Sequence, residues 1–162
     1  MTERYGAPVG GDRPSRGQAV IHPSPSQWLD VAAAARADGF DQLIDLTAVD
    51  YLTYGADRSL PEGVHPERFE VVAGLISHER RERLRMRVQV PADDPTLPSL
   101  FDLWPGSESL EREVYDMFGI AFEGHPDLSR ILMPEDWAGY PLRKDYDTGR
   151  IPVQFKAASN VR

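Results

Sequence analysis

Three observations predict an α+β fold, a two-layer domain in which helices cover an antiparallel meander sheet, with extended segments at both termini. Leu84, Met86, Val88 and Val90 alternate with Arg83, Arg85, Arg87 and Gln89, the period of a half-buried strand. Two further strand-like runs, Leu43 to Tyr51 and Phe69 to Ser77, precede it, and the second reaches the third through a connection too short for a crossover helix. Two helical patterns with capping residues flank the three strands, one before and one after.

Met1 to Pro23 has no apolar periodicity and reads as a flexible or partner-ordered arm, residues 1–23. The domain proper, 24–138, opens on Ser24-Pro25-Ser26-Gln27, which supplies an N-cap, a proline at the first helical position and a glutamine that closes a capping box. Trp28, Val31, Ala32 and Ala35 share one face of that helix, and Gly39 ends it. In the first strand Ile44, Leu46 and Ala48 fall on one side, with Asp45 and Thr47 among the residues opposite. Thr53 to Glu67 is a loop. Phe69 to Ser77 is apolar on both faces and is expected to be the central strand.

After the polar turn His78 to Glu82, the arginines 81, 83, 85 and 87 project to one side of the third strand. Such a row could bind an anion; the ordinary alternative is an exposed or edge strand protected from aggregation by charge. Leu100 to Trp104 is expected to form a short helix stopped by Pro105-Gly106. Ser107 can then cap a helix to Phe118, with Gly119 as its left-handed stop and Leu110, Val114, Met117 and Phe118 as its buried stripe. Residues 139–162 lack either period and read as an extended, partner-binding tail.

Composition excludes whole classes of chemistry. No cysteine is present, so thiolate nucleophiles, disulfides and Cys-ligated clusters are ruled out for this chain. Apolar runs are far shorter than the roughly 20 residues of a spanning helix, and Met1 to Ser15 has no apolar leader core, so a cytoplasmic chain is expected. The net charge of −8 is unevenly placed: residues 91–127 carry nine acids against Arg112, whereas Arg143, Lys144, Arg150, Lys156 and Arg162 dominate the end of the chain. An acidic body argues against nucleic-acid binding. His22, His65, His78 and His125 show no metal-ligand spacing, and no glycine-rich phosphate loop follows a strand.

The densest constellation is Glu111-Arg112-Glu113 with Asp116 on the second helix. Arg112 and Asp116 are four apart on the face opposite the apolar stripe, and Glu111 and Glu113 diverge by about 200°, too far to flank one scissile bond. Spacing alone describes a solvated helix with weak surface ion pairs, in which Arg112→Ala or Asp116→Ala changes stability little. His125, between Gly124 and Pro126, reads as a turn histidine.

The same residues carry a family resemblance. Glu111-Arg112-Glu113, Asp116, Gly119, the turn Gly124-His125-Pro126-Asp127-Leu128, Arg130-Ile131-Leu132, and Gly139 with Pro141-Leu142-Arg143-Lys144-Asp145-Tyr146 together resemble the thirty-kilodalton subunit family of respiratory complex I, the bacterial NADH:quinone oxidoreductase. The likeness covers most of residues 28–156. The chain departs from the family pattern at Glu108-Ser109, where Asn-Trp is frequent, at Ser129, where Arg is frequent, and at Tyr140, where His is common.

The resemblance implies a cofactor-free subunit of the peripheral arm of complex I, packed against the large subunit that helps form the quinone pocket and near other peripheral-arm subunits. NADH, FMN, iron-sulfur clusters and quinone are expected in other subunits. The chain would lie on the cytoplasmic side of the cell membrane, attached only through the complex. It implies interface roles for Glu111, Arg112, Glu113, Asp116, His125, Asp127, Arg130, Arg143, Lys144, Asp145 and Tyr146. The tail, pinned by Pro141, Tyr146, Ile151, Val153 and Phe155, would clasp the neighbour, so a chain ending at Ala138 is expected to melt near the full-length temperature. The alternatives are the equivalent subunit of a ferredoxin-, deazaflavin- or hydrogen-linked relative, a free-standing enzyme using the carboxylates of the charged helix, or a regulatory binding module.

Overall fold

A computed structural model describes residues 3–10, 18–54, 58, 60–147 and 149. Strands β1 (Glu3–Arg4) and β2 (Ala7–Pro8) form a hairpin. Its two loop residues, Tyr5 and Gly6, have φ of 55° and 74°, as a type I′ turn requires. Strand β3 (Ala19–Ile21) follows, then a 3₁₀ turn at Pro25–Gln27 that runs into helix α1 (Trp28–Ala37). Strands β4 (Gln42–Asp50), β5 (Phe69–Ser77) and β6 (Glu82–Val90) come next. The chain closes through β7 (Thr96–Pro98), helix α2 (Glu108–Phe118) and β8 (Ala121–Glu123), with β7 and β8 paired in parallel.

The main sheet has the order β3-β6-β5-β4, and β4, β5 and β6 form the expected antiparallel meander. Helix α1 turns Trp28, Val31, Ala32 and Ala35 inward. It ends in a Schellman arrangement: the Phe40 amide bonds the Ala35 carbonyl and the Gly39 amide bonds that of Arg36, with Gly39 at φ 89°. Phe40 is then delivered fully buried into the core, where the Trp104 indole N–H donates to its carbonyl at 3.2 Å.

Five expectations are corrected. The 1–23 arm contains structure: β3 pairs in parallel with β6 through Ala19↔Leu84 and Ile21↔Met86, and Ala7, Ile21 and His22 are buried. The Tyr5 hydroxyl also bonds Asp38 at 2.5 Å, pinning the first hairpin to the end of α1. Because β3 occupies its outer side, the arginine-bearing β6 is an interior strand, not an edge. Ile44 lies on the other face from Leu46 and Ala48, since a bulge between Leu43 and Asp45 reverses the alternation. Leu100 to Trp104 makes one turn only, with the Leu103 and Trp104 amides both on the Leu100 carbonyl. Ser107 has helical φ and ψ at the end of a 3₁₀ turn, Pro105–Ser107, and makes no side-chain cap.

Candidate functional site

Helix α2 brings its two buried carboxylates to opposite ends of one apparatus. Its apolar stripe, Val114, Met117 and Phe118, packs as expected, but Glu111 and Asp116 are buried too, so the solvated-helix reading fails for these two acids. The reason lies outside the helix. Residues 99–100 cover the Glu111 side and residues 129–133 cover the Asp116 side.

Asp116 is the more heavily bonded. One oxygen accepts from the Arg130 guanidinium at 2.6 Å, while the other accepts the backbone amides of Ile131, Leu132 and Met133 at 3.0, 2.7 and 2.8 Å. Burial acts against its charge, but the Met133 amide, Arg130 and the amides of Leu132 and Ile131 outweigh it and hold the carboxyl below the usual range. Arg112 does not pair with Asp116. It bridges Glu108 at 3.0 Å to the Ser129 hydroxyl at 3.0 Å and the Ser129 and Arg130 carbonyls, extending the same scaffold.

Glu111 accepts from the Ser99 hydroxyl at 2.6 Å and the Leu100 amide at 2.7 Å. Burial dominates here and pushes its pKa up despite both bonds. A carboxyl whose folded pKa is raised contributes stability that is present below the unfolded pKa and lost as pH rises through the folded one. Glu111→Gln keeps an acceptor for Leu100 and removes the titration. Its melting temperature relative to the parent chain should therefore rise as pH is raised from 4 to 7; a constant difference would show that Glu111 does not titrate differently on folding.

The His125 ring is locked in one tautomer. The Asp127 amide donates to Nδ1 at 3.1 Å, so Nε2 carries the proton and donates to the Glu108 carbonyl at 3.0 Å. Asp127 accepts the Ser129 amide at 3.2 Å. His125 and Asp127 thus shape the turn between β8 and the 129–133 segment.

Residues 139–147 fold back onto the end of α2 and the end of β4. The Leu142 amide bonds the Met117 carbonyl at 3.0 Å, and the Arg143 guanidinium bonds the Phe118 carbonyl at 2.5 Å, between the rings of Phe69 and Tyr140. The Lys144 amide donates to Asp50 at 2.8 Å, and Arg68 bridges Asp50 at 2.9 Å and Asp145 at 2.6 Å. The approach is close: a Cβ on Gly119, at φ 70°, would sit 2.5 Å from the Tyr140 ring, and one on Gly139, at φ 86°, 2.8 Å from that of Tyr146. Asp50 is buried at the inward-facing end of β4. Burial raises its pKa, but Arg68 and the Lys144 and Leu52 amides prevail and lower it. Ile151, Val153 and Phe155 fall outside the described residues.

The structure therefore gathers most of the expected site residues into one scaffold but turns their polar groups inward. Glu113 is exposed with no bonded partner among the described residues, and the Lys144 side chain is exposed as well. Asp50, Arg68 and Ser99 were missed by sequence reasoning. Asp50 had a signal: the alternation Leu46, Ala48, Asp50 places a carboxylate on the apolar face of its strand. No cluster of metal-ligating side chains occurs among the described residues, and none of their helices is long and apolar enough to cross a membrane.

A family model described as the 30 Kd subunit of respiratory-chain NADH dehydrogenase matches residues 21–151. NADH-quinone oxidoreductase subunit 5 of Thermus thermophilus is 50% identical over 135 residues, 80% of this chain and 62% of that protein. The chain thus spans less than two thirds of that relative. The corresponding NADH-quinone oxidoreductase subunit of Roseiflexus castenholzii is 45% identical over 148 residues, covering 90% of this chain and 79% of its own length. A solved trypsin-resistant fragment of Nqo5 superposes with a TM-score of 0.65 at 40% identity, over 76% of this chain and 90% of that one. With the meander, the capped charged helix and the anchored segments that follow it all in place, the chain belongs to the family of the 30 Kd subunit of respiratory-chain NADH dehydrogenase.

Proposed function

We propose that the chain is a peripheral-arm subunit of a proton-translocating NADH:quinone oxidoreductase. In this reading it binds no cofactor itself, performs no chemistry, and supports the quinone-reducing module on the cytoplasmic side of the membrane by packing against the large quinone-pocket subunit. The observation that carries the reading is the display of apolar side chains by the anchored segments. Ile131, Leu132, Trp137 and Leu142 supply four of the eight exposed large hydrophobic residues of the described chain, within twelve positions. The backbones of Ile131, Leu132 and Leu142 are held inward by Asp116 and the end of α2, and that of Trp137 by a turn to the Pro134 carbonyl, so the side chains face solvent in fixed positions. Preorganised apolar side chains on an otherwise polar surface are what a protein partner covers at low entropic cost. NADH, flavin, clusters and quinone would belong to the neighbours.

Leu132 tests this directly. The residue is 60% exposed while its amide is bonded to Asp116, so Leu132→Asp should leave the melt of the isolated chain unchanged. In detergent-solubilised membranes the variant should no longer co-purify with the large quinone-pocket subunit. Undiminished co-purification would place the partner elsewhere on the surface.

A further inference from the structure

The face of the main sheet turned away from α1 and α2 is covered over only part of its length. Toward Asp50 it is closed by a polar cluster: Arg87 donates to buried Glu70 at 2.9 and 3.2 Å, Gln89 donates to the same carboxylate, and Tyr51 lies over it, with the Arg58 guanidinium 3.7 Å from the Tyr51 ring centre. Toward the other end nothing among the described residues lies over the strands. There the bulge sets Ile44 down across Gly74, where a Cβ would meet its Cγ1 at 3.4 Å. Ile44 remains 47% exposed beside half-buried Val72, in a shallow cleft of about 410 Å³.

The rim of this cleft is charged. Arg83 and Arg85 stand on β6, two residues apart and so about 7 Å along the strand, and both are exposed. Neither forms an ion pair among the described residues; Arg85 makes only a 3.4 Å bond to Gln18. In a chain of net charge −8 these are two cations without an ion-paired carboxylate among the described residues, beside an apolar floor. Across the cleft the β4 rim presents exposed Asp45 and Thr47.

We propose that this cleft is a second docking surface, shaped for an aliphatic segment of a neighbouring subunit that carries carboxylates along the edge lying over β6. The proposal rests on the reading of the chain as a subunit of a larger complex. Charge identifies the occupant. Residues 150–162 of this chain bring Arg150, Lys156 and Arg162 with no acid, and residues 11–17 bring Asp12 against Arg13 and Arg16, so both would meet the arginine rim with the wrong net sign. An acidic segment from another chain neutralises Arg83 and Arg85 while Ile44 and Val72 lose water. Asp45 on the far rim sets the direction in which such a segment lies, because a carboxylate placed there would be repelled.

The test uses the complex purified from membranes through a tag on this chain, with a photo-crosslinking residue at Thr47. The expected product joins Thr47 to a segment of another subunit that carries at least two carboxylates. The reversal Arg83→Glu with Arg85→Glu should reduce recovery of the chain in the complex about tenfold without changing its melt, and Arg83→Gln with Arg85→Gln should fall between it and the parent. A crosslink to residues 11–17 or 150–162, to a second copy of this chain, or to nothing would overturn the proposal, as would full recovery of a folded reversal variant. Failure of the parent chain itself to join any membrane complex would instead remove the subunit reading and this inference with it.

Discussion

Replacement of Asp116 by alanine is expected to destabilise the isolated chain by about 3–5 kcal/mol, the range for removing one partner of a buried ion pair. The substitution leaves the Arg130 guanidinium and the amides of Ile131, Leu132 and Met133 without their common acceptor. Against a total stability of about 5–15 kcal/mol that is a large fraction. Asp116→Asn should cost less, since one oxygen still accepts, but it places an amide N–H among donors. The depressed pKa adds a pH dependence of definite sign. A carboxyl whose folded pKa is lowered contributes stability present above its unfolded value and lost as pH falls through the folded value, so the penalty of Asp116→Ala should be full at pH 7 and shrink below pH 4. Urea titrations followed by circular dichroism at the two pH values measure both effects. A loss below about 1 kcal/mol at pH 7 would mean that the segment finds other acceptors.

The second large effect belongs to the end of the chain. A variant ending at Ala138 should melt well below the full-length protein, contrary to what the aperiodic sequence of the tail suggests. It loses the Leu142 and Arg143 bonds to the end of α2, the Lys144 amide on Asp50 and the Arg68–Asp145 bridge. At about 1 kcal/mol for a neutral bond and more for one to a charged group, the first three bonds set an expected loss on the order of 3–5 kcal/mol, and the exposed Asp145 bridge is left out of that figure. Hydrogen exchange should accelerate first in the last turn of α2. An unchanged melt would restore the view of these residues as a clasp for the neighbour alone.

The contrast between these expected outcomes and the sequence reading has a physical origin. Period-two alternation located β6 and the meander, and the 3.6-residue period with Gly39 and Gly119 located both helices, because these signals report the immediate neighbours of each residue. Periodicity assigns a residue to a face but is silent on what covers that face. Asp116 was placed opposite the apolar stripe correctly, yet the segment that buries it lies 14 to 17 positions later. Strand β3 has three residues, too few to show a period, and gains its definition from pairing with β6. Residues 139–147 are held by carboxylates and carbonyls at the ends of other elements, a mode that leaves no periodic trace. The bulge at Ile44 shows the converse failure, in which a correct strand assignment gives the wrong face.

The contact between Lys144 and Asp50 spans 94 positions in the chain. During synthesis Asp50 emerges long before the backbone amide that completes its coordination, and the parallel pairing of β3 likewise waits for β6. Until residues 139–147 have left the ribosome, the nascent domain therefore carries a buried-site carboxylate that is only partly bonded and a helix terminus with open carbonyls. Closure of this part of the fold thus waits for residues 139–147, and a chain stalled before them leaves Asp50 and the end of α2 without the bonds that those residues supply.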